Sequence, residues 1–289
     1  MMMEFYLVTT DHLSNRIWFR DEEDFKAGMN TVAITTCKMH MNILAFILMS
    51  NHVHFVVESD YDTTRKYIDD IKRAHGRYIR NKYGIKELLR RNSADIQRVD
   101  PCDESLERAI AYVQMNSVAA NICLTAADYP WGSGNAFFNP GGEKGRLLES
   151  LSERARIRLT HSKQRLPEGL LVSNEGYILP RSYIKVAFVE SLFRSPRRMM
   201  YFLQNSSKAR VRLETITQEG PSFRDQVVQA AMNDLCRTLY RKDYVQSLSD
   251  LEKTEILKQT RYRFSSNINQ LARVSGLTYD TVTRLLETY

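Results

Sequence analysis

The chain has 289 residues, 43% of them hydrophobic and 10% aromatic, and its 41 Lys+Arg against 34 Asp+Glu leave a net charge of +7. That is enough apolar material for a sizeable core, and the length suggests about two domains. No stretch approaches the roughly 18 apolar residues of a membrane span, and "MMMEFYLVTTDHL" lacks the charged start and long apolar run of a secretory signal, so a cytoplasmic globular protein is expected.

Cys37, Cys102, Cys123 and Cys236 are far apart and form no CxxC pair, which argues against a zinc knuckle or a disulfide framework and for reduced thiols. Charge is unevenly spread. Residues 1–150 carry 18 Lys+Arg against 20 Asp+Glu, whereas residues 151–289 carry 23 against 14. A basic second half suits a polyanion such as nucleic acid, and it equally suits an ordinary solvated surface.

In chain order, "EFYLVTT" (residues 4–10) is rich in β-branched and aromatic types and reads as a strand. The acidic "DEED" at 21–24 reads as the opening turn of a helix running to about residue 38. "MNILAFILM" and "HVHFVVE" read as two strands joined by "SN", a hairpin length. A long polar helix is expected over 62–83 and another over 103–120, with a linker between them. The order β, α, β, β, α, linker, α needs one more strand to be a ferredoxin-like split βαβ arrangement: an α+β fold, with an antiparallel sheet carrying its helices on one face.

Within the hairpin, His52 and His54 point to one face of a strand, about 6.6 Å apart along the chain, while Val53 points away. Two imidazoles so placed can grip a divalent cation, or can be partly buried sheet residues satisfied by carbonyls or water. On the 103–120 helix, Tyr112 and Asn116 are four residues apart and share a face. An amide oxygen from Asn116 could complete a hard-ligand site with Tyr112 beside it; the same spacing fits an amphipathic core helix. Arg73, Arg77 and Arg80 recur at near-helical spacing and could follow a phosphate backbone or form a solvated stripe.

Past residue 138, "NPGGEKGRL" (139–147) punctuates the chain and marks a boundary between a domain at 1–140 and a basic, mainly helical region at 148–289. In that region "RSPRRMMYFLQNSSKARVRL" (194–213) interleaves Arg197 and Arg198 with Tyr201 and Phe202, a combination that suits single-stranded nucleic acid, while its Met and Leu residues also suit a core. The last stretch, 267–289, reads as two short helices about Ser275-Gly276-Leu277, a helix-turn-helix spacing that leaves Thr278, Tyr279, Thr281 and Arg284 available to a DNA groove.

The runs "FYLVTT", "FILMSNHVHFVVES", "HGRYIRNKYG" and "YVQMNSVAANICLTAADYPWGS" together resemble the HUH single-tyrosine transposases of the insertion-sequence-200-like superfamily, nearest to the REP-associated tyrosine transposase branch, over about residues 4–138. The chain departs from that branch at Ser117, Ala119 and Asn121, where proline, arginine and glycine are usual. The resemblance implies a HUH domain in which His52, His54 and Asn116 hold Mg²⁺ or Mn²⁺ and Tyr112 is the nucleophile. It implies a metal-dependent single-stranded DNA endonuclease and strand transferase that forms a 5′-phosphotyrosine intermediate at hairpin or repeat sequences.

The expected partners are single-stranded DNA hairpins or repeats, with duplex DNA reached through the C-terminal region by residues such as Thr281 and Arg284. No membrane partner is expected, and the protein is expected to act as a monomer or homodimer, in a bacterial cytoplasm and associated with the nucleoid. The alternative is a domesticated DNA-binding regulator that keeps the fold with little catalysis. A replication-initiator or relaxase nuclease would share the HxH but not the "DYPW" segment.

Overall fold

Strand β1 (Phe5–Thr10) runs between two neighbours, pairing antiparallel with β3 (His52–Glu58) on one side and β4 (Ala94–Val99) on the other. Strand β2 (Asn42–Met49) pairs antiparallel with β3 through the two-residue turn Ser50-Asn51, which gives the sheet order β2-β3-β1-β4. The computed structural model describes residues 4–10, 18–86, 89, 92–120, 122–142, 144–206, 225–264, 266 and 268–288. The basic stretch expected over 194–213 therefore lies outside the described residues beyond 206.

Helix α1 (Glu22–Met39) connects β1 to β2, and α2 (Tyr61–Tyr83) connects β3 to β4, completing the split βαβ pattern. Both begin on an aspartate that accepts an amide hydrogen bond in the first turn, Asp21 from Asp24 and Asp60 from Thr63. Both end on a left-handed residue, His40 and Gly84, and at Gly84 (φ 70°) the absence of a side chain makes that turn easy.

The missing strand of the ferredoxin-like pattern is β4, in the stretch expected to be linker. It is an edge strand whose residues alternate between half-buried and exposed, so "ADIQRV" carries no apolar run to announce it. Register with β1, Ile96 opposite Val8 and Asp95 opposite Thr9, makes it a strand.

Helices cover both faces of the sheet, not one. Consecutive residues of β3 show this: the Phe55 ring meets Tyr67 of α2 edge-on at 5.7 Å, while the His54 ring meets Tyr112 at 5.7 Å from the opposite side. Tyr112 belongs to α3 (Ser105–Gln114), which faces β2, β3 and β4. The helix expected as one piece over 103–120 is broken at Met115 and resumes as α4 (Asn116–Ala119). At the break the Asn116 side-chain amide donates to the carbonyls of Tyr112 (2.9 Å) and Val113 (3.1 Å), taking acceptors the backbone ladder would use.

The "DYPWGS" segment closes the sheet's exposed edge. Leu48 N–H donates to Trp131, Ser133 N–H donates to Phe46, and the Tyr129 hydroxyl donates to the Leu48 carbonyl, so β2 is paired on its outer side. Gly132 is required there, since a Cβ would lie 2.8 Å from the Phe46 carbonyl oxygen.

The sheet's core continues well past residue 140. Helix α5 (Glu153–Thr160) flanks α1, and Asn30 of α1 ties this region down by donating to the carbonyls of Leu159 and Gly176 and accepting from Ile178 N–H. Helices α6 (Val186–Phe193) and α7 (Pro196–Gln204) place Val189, Phe193, Met199 and Phe202 in the same apolar cluster as the sheet. The glycine-rich stretch at 139–147 is thus a surface crossing within one packed unit, not the break in packing its composition suggests.

A separate core belongs to α8 (Asp225–Tyr240), α9 (Asp250–Phe264), α10 (Ile268–Ser275) and α11 (Tyr279–Thr288), built from residues such as Met232, Leu235, Ile256, Leu257, Leu271 and Leu285. The last two helices turn about Gly276 at φ 68°, in the place read from the sequence. No helix among the described residues is long and apolar enough to cross a membrane.

Candidate active site

His52 and His54 open strand β3 on the face covered by α3, both almost fully buried. Their rings meet edge-on with centroids 4.8 Å apart, and Tyr112 stands perpendicular to His54. Asn116 is buried one turn beyond Tyr112, at the helix break. The structure therefore brings Tyr112 of α3 into ring contact with the histidine pair of β3, while Asn116, at the start of α4, is tied to Tyr112 through the backbone carbonyl its amide reaches.

Each imidazole is oriented by a neighbour. His52 Nδ1–H donates to Asn51 Oδ1 at 2.8 Å, so in the neutral ring Nε2 is the nitrogen that carries a lone pair. His54 Nδ1 shares a hydrogen bond of 3.0 Å with the Thr9 hydroxyl. Both rings would therefore coordinate a cation through Nε2. The Asn116 amide nitrogen is committed to carbonyls in the last turn of α3, which leaves its oxygen, the atom type a hard cation needs, as the group that could serve as a ligand. Two imidazoles and an amide oxygen are a donor set whose chemistry suits a divalent cation.

Asn51 and Thr9 were not singled out by sequence reasoning. Asn51 adjoins the HxH and is legible with hindsight. Thr9 is 45 residues away and reaches His54 only because β1 pairs with β3 in the register Thr9 opposite His54.

Burial raises the Tyr112 phenol above its ordinary value, so the side chain is protonated at neutral pH unless a cation or base draws the proton away. Three tyrosines of α2 are placed elsewhere. Tyr67 is buried on the other sheet face in a hydrogen bond with Thr36, Tyr78 stacks on His75, and the Tyr83 hydroxyl donates to Asp21 and Asp24. Burial raises all three phenols as well, with Asp24 and Asp21 adding to it at Tyr78 and Tyr83. Among the described residues, Tyr112 is the tyrosine in ring contact with the histidine pair.

The basic residues divide into tied and untied. Arg73 is held by Asp70 (2.7 Å), Arg198 by Glu104 (2.9 Å) and across the Phe202 ring, and Arg284 by Asp250 (3.1 Å). Arg77, Arg80 and Arg197 are exposed and form no ion pair with a described residue. Thr281 shares a hydrogen bond with Thr278 at the start of α11, where it helps cap the helix.

Residues 14–94 match the family model described as "Transposase IS200 like". The matched segment runs from the approach to α1 to the start of β4, so this part of the sheet domain is similar to insertion-sequence-200-like transposases, a family of DNA-processing enzymes. The match holds both histidines and ends before Tyr112 and Asn116; Tyr112 meets His54 only through the fold. No curated protein and no solved structure matched the chain.

Proposed function

We propose that this protein is a metal-dependent single-stranded DNA endonuclease and strand transferase of the REP-associated type, with Tyr112 as nucleophile and His52, His54 and Asn116 as metal ligands. The observation that carries the reading is the convergence of the two histidine rings and the Tyr112 ring on one sheet face, centroids 4.8 and 5.7 Å apart, within a transposase-family domain. A bound Mg²⁺ or Mn²⁺ supplies charge that polarises a non-bridging phosphate oxygen and favours the phenolate.

The chain's own residues then do the following. Asn51 and Thr9 fix the imidazoles so that binding a cation costs little reorganisation. The helix break holds Tyr112 over the histidine pair. Its Oη attacks phosphorus and loses its proton, the bond to the 3′ oxygen breaks, and that oxygen gains a proton, leaving a 5′-phosphotyrosine and a 3′-hydroxyl. Because the phosphotyrosine keeps the energy of the phosphodiester, a second 3′-hydroxyl can reverse the step and join strands. Arg77, Arg80 and Arg197 are the side chains offered to phosphates, with single-stranded hairpins or repeats as substrate.

The test incubates full-length protein with labelled single-stranded hairpins from the flanks of its own gene, with Mn²⁺ or with chelator, beside Tyr112→Phe. A covalent protein–DNA adduct that needs the metal and disappears in the variant is expected. An adduct that persists in Tyr112→Phe would overturn the choice of nucleophile, and binding without any adduct would favour a DNA-binding regulator.

A further inference from the structure

Behind the catalytic helix lies a cavity that neither the metal site nor the tyrosine uses. It measures about 610 Å³ and is walled by α7, the end of α3 and the 124–138 segment, with Phe137, Phe138, Met199 and Met200 among its apolar surfaces. Leu124 at 75% and Met200 at 48% exposure keep it open to solvent.

Gln114 is the exception in its lining. The side chain is 2% exposed, and neither its Nε2 nor its Oε1 has a hydrogen-bond partner among the described residues. Buried amides in folded proteins are ordinarily paired, and in an open cavity an unpaired donor and acceptor side by side mark a place where water or a polar ligand group supplies the partners. A wholly apolar occupant would leave both atoms unsatisfied.

We propose that this cavity takes one unstacked nucleobase of the DNA strand, read by the Gln114 amide. The inference rests on the single-strand reading given above. An amide presents a donor beside an acceptor, the arrangement that pairs in two bonds with the edge of a base. The phenylalanine rings and methionine thioethers offer the flat apolar walls on which a base stacks. Charge supports the same occupant: Arg194 and Arg197, at the head of α7, are exposed, form no ion pair with a described residue, and stand where the phosphates of such a strand would pass.

Gln114 is two residues beyond Tyr112, which turns it by about 200° to the far side of the helix. The base it reads therefore belongs to a nucleotide two or more steps from the cleaved phosphate. Gln114 is in this sense a specificity residue, and its contact adds to binding rather than to the chemistry.

The experiment is an abasic scan. Full-length protein is titrated against the labelled hairpins from its gene's flanks, each lacking one base in turn, with Gln114→Leu and Met200→Lys measured alongside. The leucine removes the amide while keeping its bulk, and the lysine obstructs an exposed mouth without disturbing the core. One position away from the cleavage site should weaken wild-type binding about 10-fold when its base is removed. Either variant should lose a comparable factor on intact DNA and show no further loss at that position. A flat scan, or variants that bind and respond as wild type does, while the wild type still forms its Tyr112 adduct, would overturn the pocket alone. If the wild type neither binds single strands nor forms the adduct, the functional reading falls, and the pocket with it.

Discussion

The sheet domain and the C-terminal bundle are held together internally by similar means and to each other by quite different ones. Inside the sheet domain, aromatic side chains such as Trp18, Phe19, Phe46, Phe55 and Tyr67 fill the core, and inside the bundle aliphatic ones dominate. Between them lies a patch of charge. Arg20, fully buried, donates to Asp234 of α8 at 3.1 Å, and Arg263 of α9 is buried within the field of Asp24 and Asp21, which Lys82 also pairs. Burial pulls Arg263 down to about 10 against the attraction of Asp24 and Asp21, so it stays charged at neutral pH.

Apolar contacts tolerate sliding and exchange of partners, whereas a buried ion pair holds in one arrangement. The joint therefore includes one directional contact, Arg20 to Asp234, made at the cost of taking the arginine out of water. It also separates two regions, since the histidine–Tyr112 cluster lies on one face of the sheet and the Arg20–Asp234 pair lies elsewhere.

The strongest way to break this comparison is Tyr112→Phe, which should abolish the covalent adduct while leaving thermal unfolding near that of the wild type. A stable variant that still forms the adduct would show the chemistry is misplaced. Asp234→Ala should do the reverse. It leaves Arg20 buried without that partner, which costs about 2–4 kcal/mol of stability by analogy with other severed pairs, and denaturant unfolding would show it, while adduct formation below the transition stays intact.

Smaller effects sharpen the comparison further. Thr9→Val keeps a good strand residue but removes the hydroxyl that orients His54, so metal affinity should fall about 10- to 100-fold, measured by Mn²⁺ titration, with little change in unfolding. The least effect is expected at Asp21. Burial pushes its carboxyl up, but hydrogen bonds from Lys82 and from Asp24 N–H outweigh that and leave it below its ordinary value. A carboxyl lowered on folding adds stability above its unfolded pKa, about 3.9, and that contribution is lost as pH falls through the lower folded value. The melting-temperature gap between wild type and Asp21→Asn should accordingly be constant from neutral pH to about pH 5 and close below about pH 4. A gap that widened in acid would mean the carboxylate does not stabilise the folded state.

Much of the sheet domain is legible in the residues themselves. Alternation and β-branching announce β1, β2 and β3, the aspartate caps announce α1 and α2, and the HxH with Tyr112 and Asn116 carries the resemblance that points to the chemistry. The C-terminal helix pair follows from its apolar spacing and Gly276. Four features could not be read this way. Strand β4 has an edge strand's weak pattern, and the break at Met115 follows from where Asn116 sends its amide. Arg198 and Arg284, basic residues expected to be available to DNA, are tied to glutamates and an aspartate distant in sequence. The Gly-rich stretch at 139–147 looked like a boundary, yet Phe193 and Phe202 beyond it belong to the sheet's own core.

Local properties were therefore settled by the sequence alone: period, caps, turns, and which residue types could hold a cation or attack a phosphate. Anything depending on long-range pairing was decided only by the tertiary structure. Thr9 reaches His54 because a register places them opposite one another, Arg20 meets Asp234 across 214 residues of chain, and Gln114 is buried where α7 packs on α3, with no partner for its amide among the described residues. Periodicity is written within a few turns of chain, but the partner of a buried polar atom is chosen by whatever the rest of the molecule brings within about 3 Å of it.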